Sequence, residues 1–133
     1  MAVRPSQRWR DGIAEEAREI AAGTLDPQCA YMADTYSESF LSATDAALVE
    51  FEGAVEALVA PSDEQILAVV QRVVLVLNGV NEQHEGGTYD TDEREELCLF
   101  VDAVLTEHSI DVAGFAARHG VSRYEITDRW RRW

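Results

Sequence analysis

The fold is decided by residues 62–77, which read SDEQILAVVQRVVLVL. Ser62 and Gln65 have the spacing of a capping box, in which two side chains accept hydrogen bonds from free backbone N–H groups at a helix N-terminus. The residues that follow are apolar on nearly every side, and their Val content also suits a buried strand. The apolar repeat at helical spacing favours a helix, and a helix that is apolar all round is typical of the centre of a bundle.

The rest of the chain shows the same helical spacing of apolar residues. We therefore predict one all-α domain over residues 1–133, built as a bundle of five to seven helices. Residues 13–21 predict a first helix that ends near Gly23, because glycine favours the backbone conformation that closes a helix. Residues 31–41 predict a short second helix.

Two longer helices are predicted on either side of the central one. The third helix is expected to be capped by Ser42 or Thr44 and to end at Pro61. A later helix is expected to begin at Asp90 or Thr91, with acidic residues in its first turn. Their predicted buried stripes are Leu48, Phe51, Val55, Leu58 and Val59 in the third helix, and Leu97, Phe100, Val101, Val104 and Leu105 in the later one.

The charges are sorted along the chain. There are 25 acidic residues and 11 basic ones, and every basic residue is Arg. Residues 1–10 form a basic N-terminal arm with three Arg, residues 11–107 hold twenty-two acids and three Arg, and residues 108–133 hold five Arg and three acids. Such a body repels phosphate backbones and anionic lipid and attracts basic proteins. We expect a basic protein partner and no nucleic acid, with both basic ends closing onto the acidic body.

The same composition leaves one general alternative open. A chain without Lys and rich in acids also suits a salt-adapted proteome, in which the acidity would serve hydration and select no partner. The longest apolar run, residues 66–77, is about half a membrane span. Cys29 and Cys98 lie in no ligand spacing and are typical of free thiols in a reducing compartment. We expect a cytoplasmic protein without membrane contact or cofactor, as a monomer or homodimer.

Residues 78–91 are predicted to form the one long polar loop, because Asn78-Gly79 and Gly86-Gly87 are turn dipeptides. Long polar loops often carry recognition, so the loop is a candidate partner contact. Its polar side chains, with the start of the next helix, are Asn81, Glu82, His84, Glu85, Tyr89, Asp90 and Asp92. Their spacing matches no metal motif, and no metal site is predicted. A catalytic Ser or His arrangement is not recognisable anywhere in the chain.

Residues 110–133 are predicted to form a C-terminal helical pair. The stretch VAGFAARHGVSRYEI begins at residue 112 and places the small Ala116 where two helices would approach closely. Gly120 follows four positions later, where a turn between helices needs a positive φ. Ser122 stands at the cap of the second helix, and the expected core residues of the pair are Phe115, Val121, Ile126 and Trp130.

With these residues, the segment 112–131 resembles the helix-turn-helix of bacterial DNA-binding proteins. The resemblance implies that the second helix faces the DNA groove. The implied groove-facing residues are Arg123, Tyr124, Thr127 and Arg131. The acidic preceding helix and the shortage of basic residues disfavour contact with phosphate.

The leading hypothesis is a non-enzymatic module that docks a basic protein through an acidic surface. In size and charge the chain is similar to immunity proteins, which neutralise a toxin by filling its cationic cleft. The predicted contact residues are Glu50, Glu52, Glu56, Glu82, His84, Glu85, Tyr89, Asp90, Asp92, Glu93, Glu95 and Glu96. The alternatives are a helix-turn-helix regulator that binds DNA, and a small enzyme or metal-binding protein that uses residues 81–92.

Overall fold

A computed structural model describes residues 2–84 and 89–133 of the chain. Within these residues the chain forms six α-helices, two short 3-10 helices and no strand. The α-helices are α1 (Pro5–Ala22), α2 (Met32–Thr35), α3 (Glu38–Glu56), α4 (Asp63–Gln83), α5 (Thr91–Glu107) and α6 (Val112–Arg118). The 3-10 helices are Pro27–Cys29 and Arg123–Glu125. The prediction of a single all-α bundle is confirmed, and no helix of the described residues is both long and apolar enough to cross a bilayer.

Helix α4 is less central than predicted, because α3 and α5 each pack against more elements than it does. Helix α3 packs against α1, α4 and α5, whereas the main packing partner of α4 is α3 alone. Helix α4 buries a wide stripe that includes Val70, Val74 and Leu77, but Leu75 on its outer side is half exposed. The expectation that α4 is buried on every side was therefore wrong, because one stripe of this helix faces solvent.

The capping box of α4 is confirmed. The Ser62 side chain accepts from the backbone N–H of Gln65, and the Gln65 side chain accepts from that of Ser62. Helix α3, in contrast, begins earlier than predicted, because Ser37 caps it by accepting from the backbone N–H of Phe40 at 3.2 Å. It also ends at Glu56, ahead of the predicted stop at Pro61. As a result Val59, predicted to be buried, is almost fully exposed.

Helix α4 continues well into the predicted loop of residues 78–91. Asn78 and Asn81 are both buried, and their side chains pair with the backbone of distant segments. Asn78 donates to the carbonyl of Trp130 at 2.8 Å, and Asn81 accepts from the backbone N–H of Tyr89 at 3.0 Å. The two amides therefore hold other parts of the chain against α4, instead of forming turns of their own.

The predicted basic arm is mostly helical. Helix α1 begins at Pro5, a residue that suits the first helical position because its missing N–H would have no partner there. Trp9 is buried and stacks on Tyr36, with ring centroids 5.1 Å apart. The helix ends at Gly23, whose φ of +76° confirms the predicted C-cap.

Both basic ends close onto the acidic body, as predicted. From the N-terminal side, Arg4 pairs with Glu52 at 2.6 Å and Arg10 pairs with Glu38 and Asp45, each at 2.8 Å. The C-terminal side contributes Arg118 to Asp63, Arg123 to Asp102 and Arg132 to Glu82. These contacts fasten both ends to the bundle, since opposite charges attract most strongly at short range.

The C-terminal pair agrees with the prediction in part, and in its second half the capping Ser122 and the buried Ile126 are as expected. Ala116 is fully buried in α6, and Gly120 has the expected positive φ of +70°. The second element, however, is the single 3-10 turn Arg123–Glu125 followed by hydrogen-bonded turns as far as Trp130. Val121, expected in the core, is exposed. The regular second helix that a helix-turn-helix requires is thus absent from this segment.

Candidate protein-binding surface

The start of α5 carries the densest run of carboxylates in the described chain. Residues 90–96 hold five acids and one base, Arg94. Asp90 caps the helix by accepting from the backbone N–H of Thr91, and Glu93 accepts from that of Asp90. Acids are stable in this position because they face the positive end of the helix dipole. Within residues 2–84 and 89–133, none of the five forms an ion pair with an arginine.

These carboxylates differ in exposure. Asp92 and Glu95 are exposed, whereas Glu93 is buried and lies beside Tyr36. Burial raises the pKa of the Tyr36 hydroxyl, and the negative charge of Glu93 raises it further. Glu93 is therefore not available for contact with a partner, which corrects its place among the predicted contact residues. The exposed part of this surface is Asp90, Asp92 and Glu95, of which Asp90 also caps the helix.

Glu96 is half-buried, so its exposure lies between that of the buried Glu93 and that of the exposed Glu95. Burial raises the pKa of its carboxyl group, because a charged carboxylate loses hydration there. The indole N–H of Trp9 lies near the carboxylate without meeting the geometry of a hydrogen bond. Trp9 and the positive charge of Arg8 offset the effect of burial only in part, while Glu93 and Asp92 add to it.

The predicted contacts on α3 are largely neutralised within the chain. Glu50 pairs with Arg72 at 2.9 Å and Glu52 pairs with Arg4 at 2.6 Å. Glu56 is exposed and forms no ion pair within the described residues. The acidic surface thus lies on α5 more than on α3.

The predicted loop contacts divide between surface and core. Tyr89 is buried, and its hydroxyl bonds that of Thr44 at 2.5 Å, so the prediction that it contacts a partner was wrong. Burial raises the pKa of this Tyr89 hydroxyl. Glu82 is exposed and lies 3.4 Å from Arg132. Glu85 lies outside the described residues.

The three histidines share one structural role. His84, His108 and His119 follow the last residues of α4, α5 and α6, and each is the C-cap of its helix. The Nδ1 of each lies 2.8 to 2.9 Å from the carbonyl oxygen four residues earlier. Since a carbonyl only accepts, Nδ1 carries the proton and donates it to a carbonyl in the last turn of the helix, where backbone partners run out. In the described part of the chain no group of His, Cys, Asp and Glu is arranged to hold a metal ion.

Three of the four residues implied to face DNA are turned toward the protein. Arg123 binds the buried Asp102 through two nitrogens, at 2.7 and 2.9 Å. Arg131 pairs with Asp128 at 2.7 Å, and Thr127 is buried. Tyr124 alone is exposed and without a hydrogen-bond partner among the described residues. These side chains hold the C-terminal segment in place, which weighs against their use in DNA recognition.

A groove beside α5 was not predicted from the sequence. The groove has a volume of about 330 Å³ and lies between α5 and the N-terminal residues. Val3 and Leu99 line it, and each is more than half exposed. The sequence signal was the position of Leu99, which falls outside the helical stripe that buries its neighbours Leu97 and Phe100.

The chain matches no family model, and no curated protein or solved structure is detectably similar to it. The geometry and charge of the surface are therefore the basis on which its function is inferred.

Both cysteines are free, with Cys29 exposed and Cys98 half-buried.

Proposed function

We propose that the chain is a non-enzymatic protein-binding module that docks a basic protein through the carboxylates at the start of α5. The observation that carries the proposal is the contrast between two acidic surfaces. Glu50 and Glu52 on α3 are paired with arginines, whereas Asp92 and Glu95 on α5 are exposed and unpaired within the described residues. Unpaired carboxylates attract a cationic surface over a distance of about 10 Å at ordinary ionic strength.

The overall charge supports the same proposal. Eight of the eleven arginines take part in the ion pairs between described residues, and together they engage nine carboxylates. The chain has 14 more acidic than basic residues, so these ion pairs leave its net charge strongly negative. A surface of one sign raises the association rate with a partner of the opposite sign and repels polyanions.

One concrete form of this function is the antidote to a basic toxin. A small, acidic, helical protein can cover the cationic cleft of a nuclease and so block access of its polyanionic substrate. The two free cysteines accord with a reducing, cytoplasmic location, where such an antidote would protect its own cell.

The test compares charge reversal on the two surfaces. An oligolysine peptide serves as the probe, and its association rate is measured by stopped-flow fluorescence at low and at moderate salt. We expect Asp92→Lys with Glu95→Lys to slow association about tenfold at low salt, and less at moderate salt because the charges are then screened. The matched control is Glu50→Lys with Glu52→Lys, which makes the same change in net charge on the neutralised surface.

Three outcomes are distinguished. A much smaller effect in the α3 control supports α5 as the docking surface. Equal slowing in both pairs would show that only the net charge matters, and an oligolysine peptide that does not bind the wild-type chain would refute the proposal.

A further inference from the structure

The groove beside α5 combines an apolar wall with one carboxylate. Val3, Pro5, Leu99 and Phe100 line it with apolar side chains, and the half-buried Glu96 is its one acidic lining residue. A groove with these walls suits a long side chain that is apolar along its stem and charged at its end. Val3 and Leu99 are exposed on its rim, where they would lose contact with water on binding.

The carboxylate of Glu96 has an unmet hydrogen-bond capacity. Its Oε2 atom is buried and has no hydrogen-bond partner within residues 2–84 and 89–133, because the nearby indole N–H of Trp9 does not reach hydrogen-bond geometry. A buried acceptor without a partner costs free energy, and that cost is relieved when a donor arrives. A cationic donor relieves more of it than a neutral one, because the bond is then assisted by charge.

The charges around the groove favour a cation as the occupant. Arg8 lines the groove and opposes an incoming cation. Glu96 itself and the neighbouring α5 carboxylates Asp92, Glu93 and Glu95 outnumber Arg8 and the nearby Arg94. The local field around the groove is therefore negative, in agreement with the net charge of the chain.

We propose that this groove receives one arginine side chain of the basic partner, with its methylenes against Val3 and Leu99 and its guanidinium at Glu96. This inference rests on the proposed function and names the residue that anchors the partner. Arginine suits the groove better than lysine, because a guanidinium is more weakly hydrated than an ammonium group and forms a planar fork that matches a carboxylate.

The test uses an oligoarginine peptide amide as the probe, with an oligolysine peptide of the same length beside it. Affinities are measured by isothermal titration calorimetry at moderate salt, and folding of each variant is checked by circular dichroism. We expect Glu96→Gln to weaken binding of oligoarginine about tenfold, since it removes one charge-assisted hydrogen bond. The control Glu95→Gln removes the same charge from the neighbouring exposed residue and should weaken binding about twofold or less.

A second pair of variants probes the apolar wall. Leu99→Gln should weaken oligoarginine binding about threefold to tenfold, because the stem of the side chain loses its contact. Leu75→Gln, which changes a similarly exposed leucine on α4, should leave binding unchanged. This pair decides the question even if Glu96→Gln disturbs folding.

The outcomes separate the two proposals. If oligoarginine binds and the Glu96 and Glu95 variants lose affinity equally, or Leu99→Gln behaves like Leu75→Gln, the groove is not the anchor although the acidic surface still binds. Tighter binding of oligolysine than of oligoarginine would likewise overturn the choice of arginine. If neither peptide binds the wild-type chain, the proposed function fails together with the groove.

Discussion

At the scale of single residues, Glu96 is expected to lower the stability of the fold near neutral pH. Burial raises the pKa of its carboxyl group in the folded state, so the folded chain binds this proton more tightly than the unfolded chain. Stability then decreases as the pH rises through the unfolded and then the folded pKa, and it is regained as the pH falls below both. The charged groups that act on Glu96 are Arg8, Glu93 and Asp92, with Trp9 beside them.

Replacing this carboxyl group by an amide should therefore stabilise the protein. We predict that Glu96→Gln raises the melting temperature by about 1–3 °C near neutral pH, and that the gain disappears in acid. Thermal unfolding followed by circular dichroism over a pH series measures both effects, with Glu95→Gln as the exposed control. A lower melting temperature for Glu96→Gln at neutral pH would show that the contact with Trp9 outweighs the loss of hydration.

At the scale of elements, the two faces of α4 should respond very differently to the same substitution. Leu77 is fully buried against the core, whereas Leu75, half a turn away, is half exposed. We predict that Leu77→Ala lowers the free energy of unfolding by about 2–4 kcal/mol, because it removes buried methyl groups and leaves a cavity. Leu75→Ala should cost less than about 1 kcal/mol. Urea unfolding measures both, and similar costs for the two would mean that α4 is buried on every side after all.

The elements that sequence predicts best are those whose signals are local. The capping box at Ser62, the left-handed Gly23 and the buried stripe of α5 each depend on residues a few positions apart, and the structure has all of them. The extent of α4 was missed because Asn78 and Asn81 find their partners about fifty and eight residues further along the chain, around Trp130 and at Tyr89. A polar side chain that bonds a distant backbone looks, in sequence, like a turn residue.

The distinction between local signals and long-range contacts also explains how much of the candidate surface could be predicted. Asp92 and Glu95 were predicted as contacts from their charge alone, and the structure has both exposed. Glu93 was predicted in the same way and Tyr89 from its place in the polar loop, yet both are buried through packing around Tyr36 and Thr44. Burial depends on the assembled bundle, and no pattern within the segment itself distinguishes the buried members from the exposed ones.

At the scale of the whole molecule, two electrostatic effects of opposite sign determine how stability depends on salt. The ion pairs between the basic ends and the body are mostly exposed, such as Arg132 with Glu82, and so is the pair of Arg72 and Glu50 within the body. Each pair of this kind contributes between zero and about 1 kcal/mol, and salt weakens it. Against them stands the mutual repulsion of the carboxylates that remain unpaired in a chain of net charge −14, and salt weakens that repulsion as well.

The repulsion should prevail, because acidic residues outnumber arginines by 25 to 11 and each carboxylate acts on several neighbours within a screening length. We predict that the melting temperature rises by about 2–5 °C between about 10 mM and 300 mM NaCl, and equally in KCl, since screening depends on ionic strength and not on which monovalent cation supplies it. The double variant Asp92→Asn with Glu95→Gln should start from a higher melting temperature at low salt and show a shallower rise. A fall in melting temperature with salt would mean that the ion pairs dominate. A rise that continues steeply into molar salt would favour the alternative hypothesis, in which the acidity is an adaptation to salt and the α5 carboxylates serve hydration instead of a partner.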